Sequence, residues 1–230
     1  KDQVDSLDDP EQYVWHMRRV PMFEERLRCM QARISFEDEL AEVASDIALI
    51  DNACAEFKIK ELQDLLVGVI LPFGELLHKG TRKAGAKWIK ISGLIKLSES
   101  KTAKDTRKTA LRYIIEALDR GRPELLNIHE KFPMCKLACN ASMDKPEGGL
   151  REITKSVSIV VNAVEKAEKD GDDTLVMQAG DFAAQAQRRV NELKERFDSM
   201  KKHYEETLKF MGEDDDVDVD KFFKLWISFM

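Results

Sequence analysis

Three groups of side chains have types and spacings that bear on chemistry. Gly80-Thr81-Arg82-Lys83-Ala84-Gly85-Ala86-Lys87 has the outline of a phosphate loop, in which backbone N–H groups surround an anion and a lysine reaches it. Its lysine stands one place late, no Ser or Thr follows, and a helical pattern precedes it where a strand is needed, so nucleotide binding is set aside. Asp214, Asp216 and Asp218 repeat the first three ligand positions of a calcium loop, yet Val219 stands where glycine is required and Leu225 where the bidentate glutamate belongs. These aspartates are expected to form a solvated loop that caps the final helix. Cys135 and Cys139, with His129 nearby, make half of a zinc site. No second pair completes a tetrahedron, and no metal or other cofactor is expected. His16, His78, His129 and His203 show no pairing with a nucleophile and no two carboxylates stand apart from the general charge, so no enzyme is expected.

Charge is the stronger signal. Between Lys79 and Lys108 ten Lys and Arg stand against Glu99 and Asp105, a local +8 in a chain of net charge −6, which leaves −14 for the rest. Charge segregated this sharply produces a positive field that steers an acidic partner, though a basic run is equally compatible with a solvated face. A nucleic-acid surface is disfavoured by Trp88 being the single aromatic residue in the run and by the acidic overall balance, pI about 5.4.

The elements that would position this segment follow from composition and periodicity. Charged residues make up 35% of 230 residues, with 11 Gly, 6 Pro and 7% aromatic residues, a balance that favours long helices and predicts an all-α chain. No apolar run approaches the roughly 20 residues of a membrane span, and Lys1-Asp2-Gln3-Val4-Asp5 lacks a signal-peptide core. A soluble, intracellular protein with reduced thiols is expected, and the missing initial Met suggests a cut from a longer protein, with processing as the alternative explanation.

Asp9-Pro10 reads as a helix start and Pro21 as its end. A short second helix carries Phe23, Leu27 and Met30, and a third starts at Ser35 with a seam of Leu40, Val43, Ile47, Ile50, Cys54 and Phe57. Glu61 to His78 is apolar around much of its circumference, which predicts a centrally buried helix, with a kink where Pro72 clashes with the carbonyl of Gly68. Leu150, Ile153, Val157, Val160, Val164 and Ala167 form one later seam, and Phe182, Ala186, Val190, Leu193, Phe197, Met200, Tyr204, Leu208 and Met211 another. With a reversal at Asp170-Gly171-Asp172, these predict two antiparallel helices, the second about 45 Å long, in an elongated bundle. Gly212 closes the second, and Val219, Phe222, Phe223, Trp226 and Phe229 give a closing amphipathic helix.

Taken in order, Pro10-Glu11-Gln12-Tyr13, Val20-Pro21, Glu25-Arg26-Leu27-Arg28, Gly74-x-x-Leu77-x-x-Gly80, Ala84-Gly85-Ala86, Lys90-Ile91-Ser92-x-Leu94-x-Lys96-Leu97-x-x-x-Lys101-Thr102, Gly212-Glu213 and Phe222-Phe223 resemble the formin homology 2 domain of formins. The resemblance runs from about Pro10 to the end. It implies an all-α actin-binding domain that acts at filament barbed ends, in nucleation and elongation or in capping, as a head-to-tail homodimer in the cytoplasmic cytoskeleton. The family's parts are a lasso, a linker, a knob, a coiled-coil region and a post. The resemblance implies a knob remainder and first long helix over 1–60, a post-like segment with a basic loop over 61–148, coiled-coil helices over 149–211, and an acidic loop with a closing helix over 212–230, with the lasso and linker missing.

By the same resemblance, Lys101 stands where the family uses a basic residue to grip actin, and Gly74, Leu77 and Gly80 stand at the dimer contact of the post. Charge alone extends the actin surface to Lys90, Lys96 and Lys104. Where formins usually show Gly-Asn-x-x-Asn-x-Gly, this chain has Gly74-Glu75-Leu76-Leu77-His78-Lys79-Gly80. Trp88-Ile89 replaces a Gly-Phe pair, and Pro72 takes a usually small position. These departures predict weakened dimerisation. The competing expectation is a helical scaffold or dimerisation domain that has lost actin.

Overall fold

The computed structural model describes residues 8–77, 90–100 and 108–230. Around the start of α1 (Asp9–Met17), Glu11 accepts the Asp8 N–H at 3.3 Å in a capping box, and Pro10 occupies the first turn, where a missing N–H costs nothing. The helix buries no residue and ends before Pro21.

A single helix, α2 (Phe23–Ala55), replaces the two expected from the sequence. No Gly or Pro lies between Pro21 and Ala55, and a serine hydroxyl caps a helix only where the backbone leaves helical geometry, so Ser35 sits in the interior. Leu27 and Met30 are exposed, and Cys29 and Phe36 take the buried places on the first half. Val43, Ile47, Ile50 and Cys54 continue the buried seam, and Phe57 follows in a 3₁₀ turn.

The segment around Pro72 also departs from expectation. α3 (Lys60–Leu65) passes into a π turn at Leu66–Ile70, where the Leu71 N–H reaches back to the Leu66 carbonyl, and then into α4 (Leu71–Leu77). The widened turn takes up the register change just ahead of the proline, in place of a clash inside one regular helix. Leu62, Leu65, Leu66 and Ile70 are buried, but Val67 and Leu76 are exposed, so this segment buries one face only.

Next come α5 (Ile91–Glu99), α6 (Ala110–Gly121), α7 (Pro133–Ala138), α8 (Asp144–Asp170), α9 (Asp173–Phe210) and α10 (Val219–Phe229). All six members of the first long seam are buried on α8; on α9, and at Met211 just past its end, the second seam is buried except at the half-buried Phe182. α9 starts nine residues earlier than its apolar pattern because Asp172 caps it, accepting the Leu175 N–H at 3.3 Å. Gly171 and Gly212 both take positive φ, 73° and 67°. After each, the next N–H returns to a carbonyl five residues back, Asp172 to Ala167 at 2.8 Å and Glu213 to Leu208 at 2.9 Å. This helix stop requires the left-handed conformation that glycine adopts without penalty.

The chain divides into two units, residues 1–43 with 147–195 and residues 44–146 with 196–230. In the first, Cys29 of α2 packs with Val160, Ala163, Val164 and Ala167 of α8 and Leu175, Ala179 and Ala183 of α9. The small alanines let helix backbones approach closely. The second unit centres on aromatic residues. Trp226 of α10 lies 5.1 Å from the Phe57 ring and 5.0 Å from that of Phe132, and Phe222 lies 5.3 Å from Phe57. All described regular structure is helical, and no described helix is long and apolar enough to cross a membrane.

Candidate functional site

α5 sits where the basic run meets the aromatic unit. Ile91 and Leu94 are fully buried, which fixes one face of this short helix against α10 and α6. Its first turn is held by the acidic loop that follows α9. The Glu213 carboxylate accepts the Ile91 N–H at 2.7 Å, and the Lys90 ammonium meets the Asp214 carboxylate at 2.7 Å. A carboxylate on a free N–H of a helix start satisfies an orphan donor and opposes the positive end of the helix dipole. The hydrogen bond that Lys90 donates to Asp214 raises its ammonium above the usual lysine range, with the charges of Glu213 and Asp216 adding to it.

The other end of α5 is equally defined. The Ser100 N–H and hydroxyl both bond the Lys96 carbonyl, at 2.9 and 2.7 Å, and the Ser100 carbonyl accepts the Ala110 N–H at 2.9 Å. Residues 100 and 110 are thus tied together, and Thr109 caps α6 by accepting the Arg112 N–H at 3.3 Å.

Three basic residues of the run are described. Lys90 is paired with Asp214. Lys108 reaches both oxygens of Glu116 at 3.0 Å, with Arg112 adding a third bond at 3.3 Å, and these cations hold the Glu116 carboxyl below the usual range, Lys108 foremost. Lys96 is exposed on the last turn of α5 and has no ion-pair partner among the described residues. Lys90 and Lys96 lie six residues apart, some 120° around the helix, so α5 does not place them on one line. Lys101 and Lys104 lie outside the described residues.

Of the positions at the expected dimer contact, Gly74 is a half-buried part of α4, and a Cβ built there would meet nothing within 4 Å. Leu77 is the last residue of α4, and Gly80 lies outside the described residues, as do His78 and Trp88. The exposed Val67 and Leu76 were missed in the sequence, because an all-round apolar pattern reads as burial whichever face is open.

The acidic loop and the cysteines are accounted for by other partners. Asp218 holds the N-cap position of α10, but its carboxylate turns to Lys221 and leaves the first amides of the helix, while Asp220 bonds Lys224 at 2.9 Å. The Cys135 thiol points to the Ala53 carbonyl at 3.4 Å and that of Cys139 to the Cys135 carbonyl at 3.4 Å. A cleft of about 610 Å³ opens between residues 140–144, Lys201, Tyr204, Glu205 and the loop at 215–220. Its rim is largely acidic, and no group of three or more His, Cys, Asp or Glu poised for a metal is found among the described residues.

Comparison with known proteins gives one consistent result. A model of the Formin Homology 2 Domain matches residues 1–230. Protein diaphanous homolog 3 of Homo sapiens is 25% identical over 216 residues, 93% of this chain and 18% of that protein. Disheveled-associated activator of morphogenesis 1-A of Xenopus laevis is 25% identical over 235 residues, 100% of this chain and 22% of the relative. Formin-like protein 21b of Arabidopsis thaliana is 24% identical over 206 residues, 89% of this chain and 51% of the plant protein. The chain therefore spans about a fifth of the length of the first two relatives and half of the third.

Proposed function

The chain belongs to the Formin Homology 2 Domain family, and from that premise we propose that it is an actin-binding module acting at filament barbed ends in the cytoskeleton. It binds rather than catalyses, and the basic surface around α5 meets an acidic face of actin. Lys101 is the central contact, with Lys96, Lys90 and Lys104 adding to it. The observation that supports this most directly is the hydrogen bond from the Ala110 N–H to the Ser100 carbonyl at 2.9 Å, which closes the end of a helix that presents Lys96 to solvent. An ammonium on a flexible stem is a compact point charge able to reach a carboxylate. Gly74, Leu77 and Gly80 are proposed as part of a contact with a second copy, which the open space beside Gly74 and the exposed Val67 and Leu76 favour.

A second reading has its own support. Two of the three described lysines of the basic run already hold acidic partners within the chain, as they would in a helical scaffold that has lost actin.

Seeded growth of actin filament barbed ends separates the two readings, measured with the protein, its Lys101→Asp variant and its mass in solution. Actin binding predicts a concentration-dependent change in growth that Lys101→Asp relieves, because charge reversal adds repulsion to the lost attraction. Unchanged growth from a folded chain favours the scaffold, whereas equal changes with the two proteins keep actin binding and remove Lys101 as its central contact.

A further inference from the structure

The loop between Gly212 and Val219 carries five acids in six positions, Glu213, Asp214, Asp215, Asp216 and Asp218. Two of them turn toward α5 and make different kinds of contact. Glu213 bonds a backbone amide and so anchors the helix, whereas the Asp214 carboxylate meets, among the described residues, the side-chain ammonium of Lys90, across 124 residues of sequence. Both partners of that pair are largely exposed, at 47% for Lys90 and 73% for Asp214. The pair is therefore open to exchange with another carboxylate. Lys96, on the same helix, has no such neighbour among the described residues.

We propose that Asp214 is an intramolecular counter-ligand of Lys90, holding the ammonium that an acidic partner would otherwise engage, so that the partner gains this contact only by displacing Asp214. The proposal deepens the actin-binding reading above and rests on it for the identity of the partner. Its physical basis is competition between carboxylates for one cation, reinforced by the field of the remaining acids of the loop, which repels an acidic surface. Glu213 keeps α5 anchored when Asp214 is neutralised, so charge and structure can be separated by one substitution.

Two measurements on the full chain test this. The first is the affinity for actin barbed ends, from the concentration dependence of seeded growth. The variants are Asp214→Asn, Asp214→Asn with Lys90→Ala, and Asp119→Asn, which removes the same charge from an exposed position on α6. The expected result is about two- to fivefold tighter binding for Asp214→Asn, the scale of an exposed ion pair. Asp119→Asn should show a smaller gain, and Lys90→Ala in the Asp214→Asn background should erase the gain. Equal affinities of Asp214→Asn and Asp119→Asn, or a gain that survives Lys90→Ala, would overturn the proposal.

The second measurement needs no partner. NMR titration of ¹³C-methylated lysines should show the Lys90 amine titrating at lower pH in Asp214→Asn than in the parent. An unmoved Lys90 titration would overturn the pair itself. A moved titration with no effect of any protein on filament growth would leave the Lys90–Asp214 contact standing and remove actin as the partner.

Discussion

The Arg26 guanidinium of α2 meets the Asp172 carboxylate at the α8–α9 turn at 2.5 Å, 146 residues away in sequence. The same guanidinium donates to the Pro21 carbonyl at 3.0 Å, so one side chain ties the entry of α2 to the reversal at Gly171. The bond from Arg26 is the main cause that holds the Asp172 carboxyl below the ordinary aspartate range, helped by the Leu175 and Thr174 amides. A carboxyl depressed in the folded state stabilises above its unfolded pKa, near 3.9, and loses that contribution as pH falls through the folded value. The melting temperature of Arg26→Gln should therefore lie below that of the parent by a steady margin from pH 5 to 8. Below about pH 4 the margin should narrow without closing, since the bond to Pro21 does not titrate. Thermal melts across that range check it.

Gly148 and Gly149, adjacent on α8, should respond to alanine with opposite signs. A Cβ at Gly148 meets nothing within 4 Å, so Gly148→Ala should stabilise by about 0.5–1 kcal/mol through helix propensity. A Cβ at Gly149 would fall 2.5 Å from Cγ2 of Val43, a β-branched side chain with little rotamer freedom to retreat. Gly149→Ala should cost about 1–3 kcal/mol, and adding Val43→Ala should recover part of the loss. Denaturant unfolding of the four proteins measures both signs.

Trp226 should be the most sensitive position of the aromatic unit. It is fully buried against Phe57 and Phe132, and its indole N–H has no hydrogen-bond partner among the described residues. Trp226→Ala should destabilise by about 3–5 kcal/mol, the range for emptying a large aromatic site. Trp226→Phe should cost distinctly less, because it removes the unsatisfied donor together with part of the volume. Urea titration followed by far-UV circular dichroism distinguishes the two.

The four thiols should react in two classes. Burial pushes the Cys54 thiol up to about 12, and burial with Glu56 beside it pushes Cys135 higher still. Cys29 is buried and raised by the same cause, while Cys139 keeps part of its surface. A thiol reagent at pH 8 should label Cys139 first and the other three only on unfolding. Mass spectrometry of the time course reads the order.

Which parts of this fold were legible beforehand follows from the range of the interactions involved. The seams Leu150 to Ala167 and Ala186 to Met211 recur every three and four residues, and burial on one face is what such a period encodes. Gly171 and Gly212 were legible as helix stops for the same local reason, since glycine adopts the required φ at no cost. Ser35 misled, because a capping residue and a mid-helix serine look alike until the preceding backbone is known. Pro72 was legible as a disruption but not as a π turn at Leu66–Ile70, a choice that lies in which carbonyl the next free amide reaches.

The candidate surface divides along the same line. The sequence by itself determined the helical class, the family resemblance and the sum of charge between Lys79 and Lys108, because composition, period and ordered short motifs are properties of neighbours along the chain. Only the tertiary structure decided which of those charges are already taken. Asp214 lies 124 residues from Lys90 and becomes its partner because Gly212 stops α9 and α10 packs its aromatic face onto Phe57, which brings the acidic loop to the first turn of α5. Coulombic pairing depends on distance in space, and no count along the chain contains that distance.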